Sequence, residues 1–193
     1  REMVAAAGVS DLVELLLADY RELSGETFAA ISSIGMAEHV GSERIGLYMR
    51  TLHDLLRPGG RLLNHAIAKL MDFDEKDEGA FSERFVFPDG VPLALSRITE
   101  AMERTSLVVR HVEGFPEDYA RTLSYWIEKF ESRFDEAVRV AGIERARVYR
   151  VYLRAARAGF TTGYVSVYQV LAHRPTAARY EPPAGPEPAG QYF

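Results

Sequence analysis

Apolar residues along the chain fall into short unbroken runs, which predict buried strands, and into three- and four-residue spacings, which predict amphipathic helices. Leu12–Ala18 (LVELLLA), Phe28–Ile34 (FAAISSI) and Arg61–Ala68 (RLLNHAIA) are runs of the first kind. Leu107–Val112 and Tyr164–Ala172 alternate, as half-buried strands do. Glu43–Leu56 is of the second kind, with Ile45, Tyr48, Met49, Leu52 and Leu55/Leu56 on one face. Ser96–Arg104, Tyr119–Ala141 (carrying Leu123, Trp126, Ile127, Phe130 and Phe134) and Glu144–Gly159 predict three further helices. The opening Arg1–Ala7 reads as the last turns of a helix closed by Gly8. Pro58-Gly59-Gly60 stops the Glu43–Leu56 helix and hands the chain to the next strand. Strand, helix, turn and strand in that order make a βαβ unit, which predicts an α/β fold on a parallel sheet.

Composition narrows this picture. A chain of 193 residues, 47% hydrophobic and 26% charged, is long enough for one domain with a sizeable core. Residues 1–175 are expected to form that unit. Residues 176–193, with Pro182, Pro183, Pro186 and Pro188, read as a flexible Pro-rich tail. A net charge of −5 argues against a nucleic-acid partner, which would require a basic face. The absence of cysteine removes thiolate and disulfide chemistry and favours a cytoplasmic setting. No apolar run approaches the roughly 20 residues of a membrane span. The acidic stretch Met71–Glu83 reads as a solvated loop and matches no EF-hand spacing. The histidines are scattered, so no metal is expected, and no G-x-G-x-x-G, P-loop or G-x-S-x-G motif occurs.

Three polar features follow or interrupt the predicted strands, where open α/β sheets bind ligands. Asp19-Tyr20 offers an acceptor for an adenine amino group and a ring to stack on the base; an N-capping Asp beside a partly buried Tyr is the equal alternative. Glu38-His39 sits where strand Phe28–Ile34 hands over to a helix; a helix-starting Glu with a solvent-facing His is its alternative. Asn64-His65 breaks an apolar strand, where a hydrogen-bonded core histidine is the alternative to a catalyst. Together they point to one shared crevice.

The residues Asp19-Tyr20-Arg21, Phe28 to Gly41 (FAAISSIGMAEHVG), Leu55 to Ile67 (LLRPGGRLLNHAI), Phe85 to Gly90 (FVFPDG), Asp118 to Leu123 (DYARTL) with Trp126, and Tyr168 to Leu171 (YQVL) resemble the cyclopropane-fatty-acyl-phospholipid synthase family. That family includes the mycolic acid cyclopropane synthases and related fatty acid methyltransferases, and the resemblance runs nearly to Pro175. It implies a Rossmann-like class I methyltransferase sheet with inserted helices over a lipid site. It implies S-adenosylmethionine as methyl donor, a cis double bond of a lipid acyl chain as acceptor, and a bicarbonate ion as base. On this pattern Glu38, His65, Tyr119 and the backbone of Ile67 hold the bicarbonate, with Glu38, His65 and Tyr119 as the catalytic set. Asp19, Tyr20 and Ser33 fall to the cofactor. The partner implied is a phospholipid or other lipid acyl chain, with peripheral contact at the inner face of the membrane.

The departures carry expectations of their own. Ala37 stands where the family has an aromatic, which widens the acyl channel, and Asn64 replaces an aliphatic residue, as in the fatty acid methyltransferase branch. The family's Gly-rich cofactor loop, its first two strands and a bicarbonate-site cysteine are absent from this sequence. The chain is therefore expected to be the C-terminal part of the catalytic unit. Alone it would bind S-adenosylmethionine poorly, with a second copy or another chain completing the fold. Two other functions compete with the lipid methyltransferase: a non-catalytic subunit supporting a paralogue, and a methyltransferase for a small soluble metabolite. An apolar tunnel lined by Phe85, Trp126 and Tyr164 would favour the lipid; a polar closed pocket would exclude it.

Overall fold

The computed structural model describes residues 1–69, 80–88, 90 and 92–176. A short helix α1 (Glu2–Ala6) and a 3-10 turn (Tyr20–Glu22) precede β1 (Phe28–Ile34). Then follow α2 (Ala37–Val40), α3 (Ile45–Leu55), β2 (Leu56–Lys69), α4 (Ala80–Phe85), α5 (Leu95–Arg104) and β3 (Val108–Gly114). The chain continues with α6 (Pro116–Ser132), α7 (Phe134–Ala141), α8 (Ile143–Thr161) and β4 (Val165–His173). Most of the acidic stretch (71–79) and the tail from 177 onward lie outside the described residues.

The sheet has the order β1-β2-β4-β3. β1 and β2 are parallel, as the βαβ pattern predicts, but β4 runs antiparallel to both β2 and β3. The expectation of a parallel sheet is thus corrected over its second half. A parallel connection needs a crossover onto the sheet. Here the helices between β3 and β4 stack on one another, and the chain returns beside β2 in the opposite sense.

Alternation along β2 divides the core in two. Leu62, Ala66 and Ala68 pack with Tyr48, Met49 and Leu52 of α3 and Ile98 and Met102 of α5. The buried positions of α3 are those that the 3.6-residue spacing marks. Ile67 faces the other way, toward Leu123 and Ile127 of α6, Leu153 and Phe160 of α8, and Val167 of β4. The sheet is therefore sandwiched between α3/α5 and α6/α8. Pro58 and the glycines lie within β2 at a register break against Phe28–Ala30, where a proline is tolerated. Gly59 adopts φ +81°, and a Cβ at Gly60 would stand 2.8 Å from the Arg57 carbonyl.

Two further expectations are corrected. Leu12–Ala18 is not a strand: it is irregular and exposed, with Leu17 wholly in solvent. Among the described residues β1 hydrogen-bonds only to β2, and no strand pairs with residues 12–18, where the Leu12 N–H donates to the Val9 carbonyl at 3.0 Å. The helix expected over Tyr119–Ala141 is two helices, broken at Arg133 (φ −125°, ψ 26°). The break lets Phe134 take the Arg150 guanidinium over its ring at 4.2 Å, while Glu131 accepts from Arg150 and Arg154 of α8.

Those two guanidiniums hold the Glu131 carboxyl down, from the ordinary 4.5 to about 2. A depressed folded-state value stabilises above the unfolded value and is lost as pH falls through the folded one. Stability is expected to fall between about pH 4.5 and pH 2, and Glu131→Gln to flatten that decline. Thermal melts across this range would check it; parallel curves for the two proteins would refute it.

Candidate active site

Gly35 ends β1 with φ +68° and donates its N–H to the His65 carbonyl at 2.9 Å, pinning the turn to β2. The following α2 turn carries Glu38 and His39. Glu38 is partly buried, and its Oε2 is shut off from solvent without a hydrogen-bond partner among the described residues. A buried carboxylate oxygen left in this way is costly, so the arrangement calls for a hydrogen-bond donor beyond the described residues.

Glu38 opens onto a cavity of about 540 Å³ between the sheet and the α6/α8 layer. Ile67 and Tyr119 share its wall. Tyr119 stacks on Phe160 at 4.4 Å and meets Trp126 edge-on at 6.3 Å. Tyr152 closes another side, edge to face with Phe87 at 5.6 Å and Tyr149 at 5.9 Å. Burial raises the Tyr119 phenol above its ordinary range, and the Glu38 carboxylate adds to the shift. Burial likewise pushes Tyr152 up to about 12, with Tyr119 and Tyr149 contributing. Both phenols therefore stay protonated as donors at neutral pH.

The other expected site residues take several positions. His65 lies on the same face of β2 as Ile67 but does not line the cavity. Its Nδ1 sits 3.3 Å from the Gln169 amide, in the register that pairs His65 with Gln169 across β2 and β4. With the amide donating to Nδ1, the ring carries its proton on Nε2. His39 packs its ring against Phe87 at 5.7 Å and forms part of the cavity wall. Asp19 caps the 3-10 turn: it accepts from the Arg21 backbone N–H and pairs with its guanidinium at 2.6 Å, and these bonds hold its carboxyl at about 2. Tyr20 stands edge-on to Tyr48 at 5.3 Å and lines a recess of about 240 Å³ with Met36 and Arg44. Gly35 and His39 belong to both recess and cavity, so the two meet there. Ser33 is buried, with its hydroxyl bonded to that of Tyr48. Asn64 is buried on the α3 side with its Oδ1 unpartnered.

Trp126 and Tyr164 line the cavity as expected, but Phe85 does not. Phe85 ends α4 half-exposed beside Phe81, and Phe87, two residues on, takes the wall position. Tyr149 and Tyr152 are wall residues that periodicity did not single out; their spacing of three on a helix was the available signal. Among the described residues, no group of three or more His, Cys, Asp or Glu is placed to hold a metal, and no helix is long and apolar enough to cross a membrane.

A sheet flanked by helices on both faces, with a cavity and a recess meeting at the carboxyl end of β1, defines the class I methyltransferase fold. The family model described as mycolic acid cyclopropane synthetase matches residues 1–170, and the chain belongs to that family. It is 36% identical over 172 residues to the "Probable fatty acid methyltransferase Rv3720" of Mycobacterium tuberculosis, covering 89% of this chain and 40% of that one. A "Probable fatty acid methyltransferase" of Pseudomonas putida is 36% identical over 181 residues, 92% of this chain and 46% of its own. The mycolic acid cyclopropane synthase CmaA1, solved in complex with SAH and CTAB, superposes with a TM-score of 0.76 at 26% identity, over 82% of this chain and 59% of its own. The chain thus spans less than half the length of the two curated relatives.

Proposed function

We propose that the whole protein transfers a methyl group from S-adenosylmethionine to the cis double bond of a lipid acyl chain, giving a cyclopropane or a methylene- or methyl-branched product. The observation that carries this reading is the buried, unpartnered Oε2 of Glu38 in an aromatic cavity shared with Tyr119. The wall is mostly aromatic and aliphatic, which suits a hydrocarbon chain, with Glu38, His39, Lys69 and Ser82 as its polar members besides the tyrosine hydroxyls. The family and the CmaA1 complex support the same chemistry.

Part of the expected set faces each implied group: Tyr20 the recess, and Glu38, Ile67 and Tyr119 the cavity. The recess holding Tyr20, Met36 and Arg44 suits S-adenosylmethionine, and it meets the cavity at Gly35 and His39. When bound, that cofactor supplies an electrophilic methyl group. Asp19 is tied to Arg21, and Ser33 to Tyr48, so their contribution is to position the turn and Tyr48 rather than to face the ligand directly. A bicarbonate ion suits Glu38, whose free oxygen can accept the ion's hydroxyl proton in a hydrogen bond. Tyr119 is a protonated donor on the same wall and Ile67 shares it, while His65 is turned to Gln169 and stands behind that wall as a positioning residue. Bicarbonate supplies the base for the proton lost after methyl transfer.

The chain's own residues do the rest. Methyl transfer to an alkene leaves positive charge on the acyl carbon. The faces of Tyr119, Phe160 and Trp126 stabilise a cation by their π-systems and exclude water that would capture it. Glu38 would hold a bound proton acceptor through its buried oxygen.

Mass spectrometry of lipids from cells expressing the complete gene should show acyl chains lengthened in mass by one carbon at the former double bond. Unchanged lipids, with label from methyl-labelled S-adenosylmethionine appearing instead in a soluble metabolite, would overturn the lipid reading. Unchanged lipids with no labelled product would favour a non-catalytic subunit.

A further inference from the structure

Beside the cavity lies a second groove of about 420 Å³, lined by residues of α6, α7 and α8. The two adjoin: Trp126, Tyr149 and Leu153 belong to the walls of both. Beyond that junction the groove is walled by Phe130, Ala137 and Val140. Its charged lining residues Lys129, Arg133 and Glu136 are all exposed. The break at Arg133 lets α7 leave the line of α6 and close the groove from the side. Val140 is 83% exposed and Trp126 48% exposed, so among the described residues nothing covers this apolar wall.

We infer that this groove is the distal half of the acyl site: a chain whose double bond lies beside Glu38 and Tyr119 continues past Trp126 and Tyr149 into it. The α6–α7–α8 unit then sets a preference for long acyl chains. The inference rests on the acyl-chain function proposed above and adds a second compartment to it. The shared wall points to the occupant. A ligand in the groove shares three wall residues with the ligand in the cavity, which one extended molecule does without a gap. An alkyl chain buries no polar group on the way. A peptide threaded through the same junction would strand backbone N–H and C=O groups against aromatic walls.

Trp126 is the only tryptophan of the chain and stands at the junction, so its fluorescence reports occupancy. Monomeric alkylphosphocholines of increasing chain length serve as probes, titrated against the wild type, Ala137→Phe and Val140→Asp. In a longer parent protein, Trp126→Phe supplies the background signal. Ala137→Phe fills the groove, and Val140→Asp places a charge in it at a position too exposed to disturb folding. Each added methylene is worth about fourfold in affinity while it finds apolar wall. Short chains should bind all three proteins alike. The gain per methylene should continue in the wild type beyond the length at which it stops in both variants. The same length dependence in all three proteins would overturn the groove and leave the acyl-chain function standing. Binding at no chain length would overturn both.

Discussion

Glu38→Gln in the complete protein is expected to lower turnover by about 10²–10⁴-fold, the usual worth of a positioned acid–base group, while S-adenosylmethionine binds as before. Glutamine keeps the size and hydrogen-bonding reach of the side chain. It replaces one acceptor oxygen with an amide donor, and Oε2 of Glu38 is buried with no partner among the described residues. A donor amide in that place faces the hydrogen of the proton acceptor instead of receiving it. Titration calorimetry with the cofactor and single-turnover assays on lipid separate the two effects. Equal loss of both would move Glu38 to the cofactor side of the Gly35–His39 junction, and undiminished turnover would remove it from the chemistry.

The largest expected effect on stability is at Tyr48. Its ring is fully buried among the α3/α5 core residues, with Tyr20 against its edge. Tyr48→Ala is expected to cost about 3–5 kcal/mol in urea unfolding, the cost of an aromatic-sized cavity. That is a large part of the 5–15 kcal/mol that typically holds a domain together. Tyr48→Phe keeps the packing but strands the buried Ser33 hydroxyl, and should cost about 1–3 kcal/mol. Adding Ser33→Ala to Tyr48→Phe should recover most of that loss. Equal stability of Tyr48→Phe and the wild type would show that the Ser33–Tyr48 bond contributes nothing. Burial, together with the Glu38 carboxylate, also pushes the Tyr48 phenol up from 10.0 to about 12. A raised folded-state value stabilises below the unfolded one and is lost as pH rises toward the folded one. The wild type should therefore lose stability between about pH 10 and pH 12, and Tyr48→Phe should lose less of it.

Local pattern was enough for β1, whose bounds Phe28–Ile34 match the apolar run, and for α3, whose buried face is the one that its spacing marks. Patterns that depend on a distant partner were not legible. Leu12–Ala18 has a strand's composition, yet strand pairing needs a neighbour, and periodicity cannot supply one. The direction of β4 leaves no trace in its alternation, which is the same for parallel and antiparallel neighbours. The break at Arg133 has no proline or glycine to announce it; contacts with Arg150 and Arg154 on α8 override helical propensity there. At the site, the meeting of Glu38, Ile67 and Tyr119 on one cavity was readable only through family resemblance, since their spacing shares no period. The His65–Gln169 pairing follows from sheet register, a long-range quantity.

β4 lies between β2 and β3 although it comes after both in the chain. Its place has a consequence for synthesis on the ribosome. Until residues 165–173 emerge, β3 has no strand to bond to and β2 presents one open edge. Tyr164 and Val165, which complete one wall of the cavity, also arrive only then. The nascent protein thus holds exposed strand edges from the emergence of β2 until that of β4, the condition in which chains pair wrongly with one another. Its pairings span the sequence from Arg61 to His173, so closure of the sheet is a late, non-local and slow event. Yield of the folded protein should depend more on translation rate and chaperone supply than on the strength of its core.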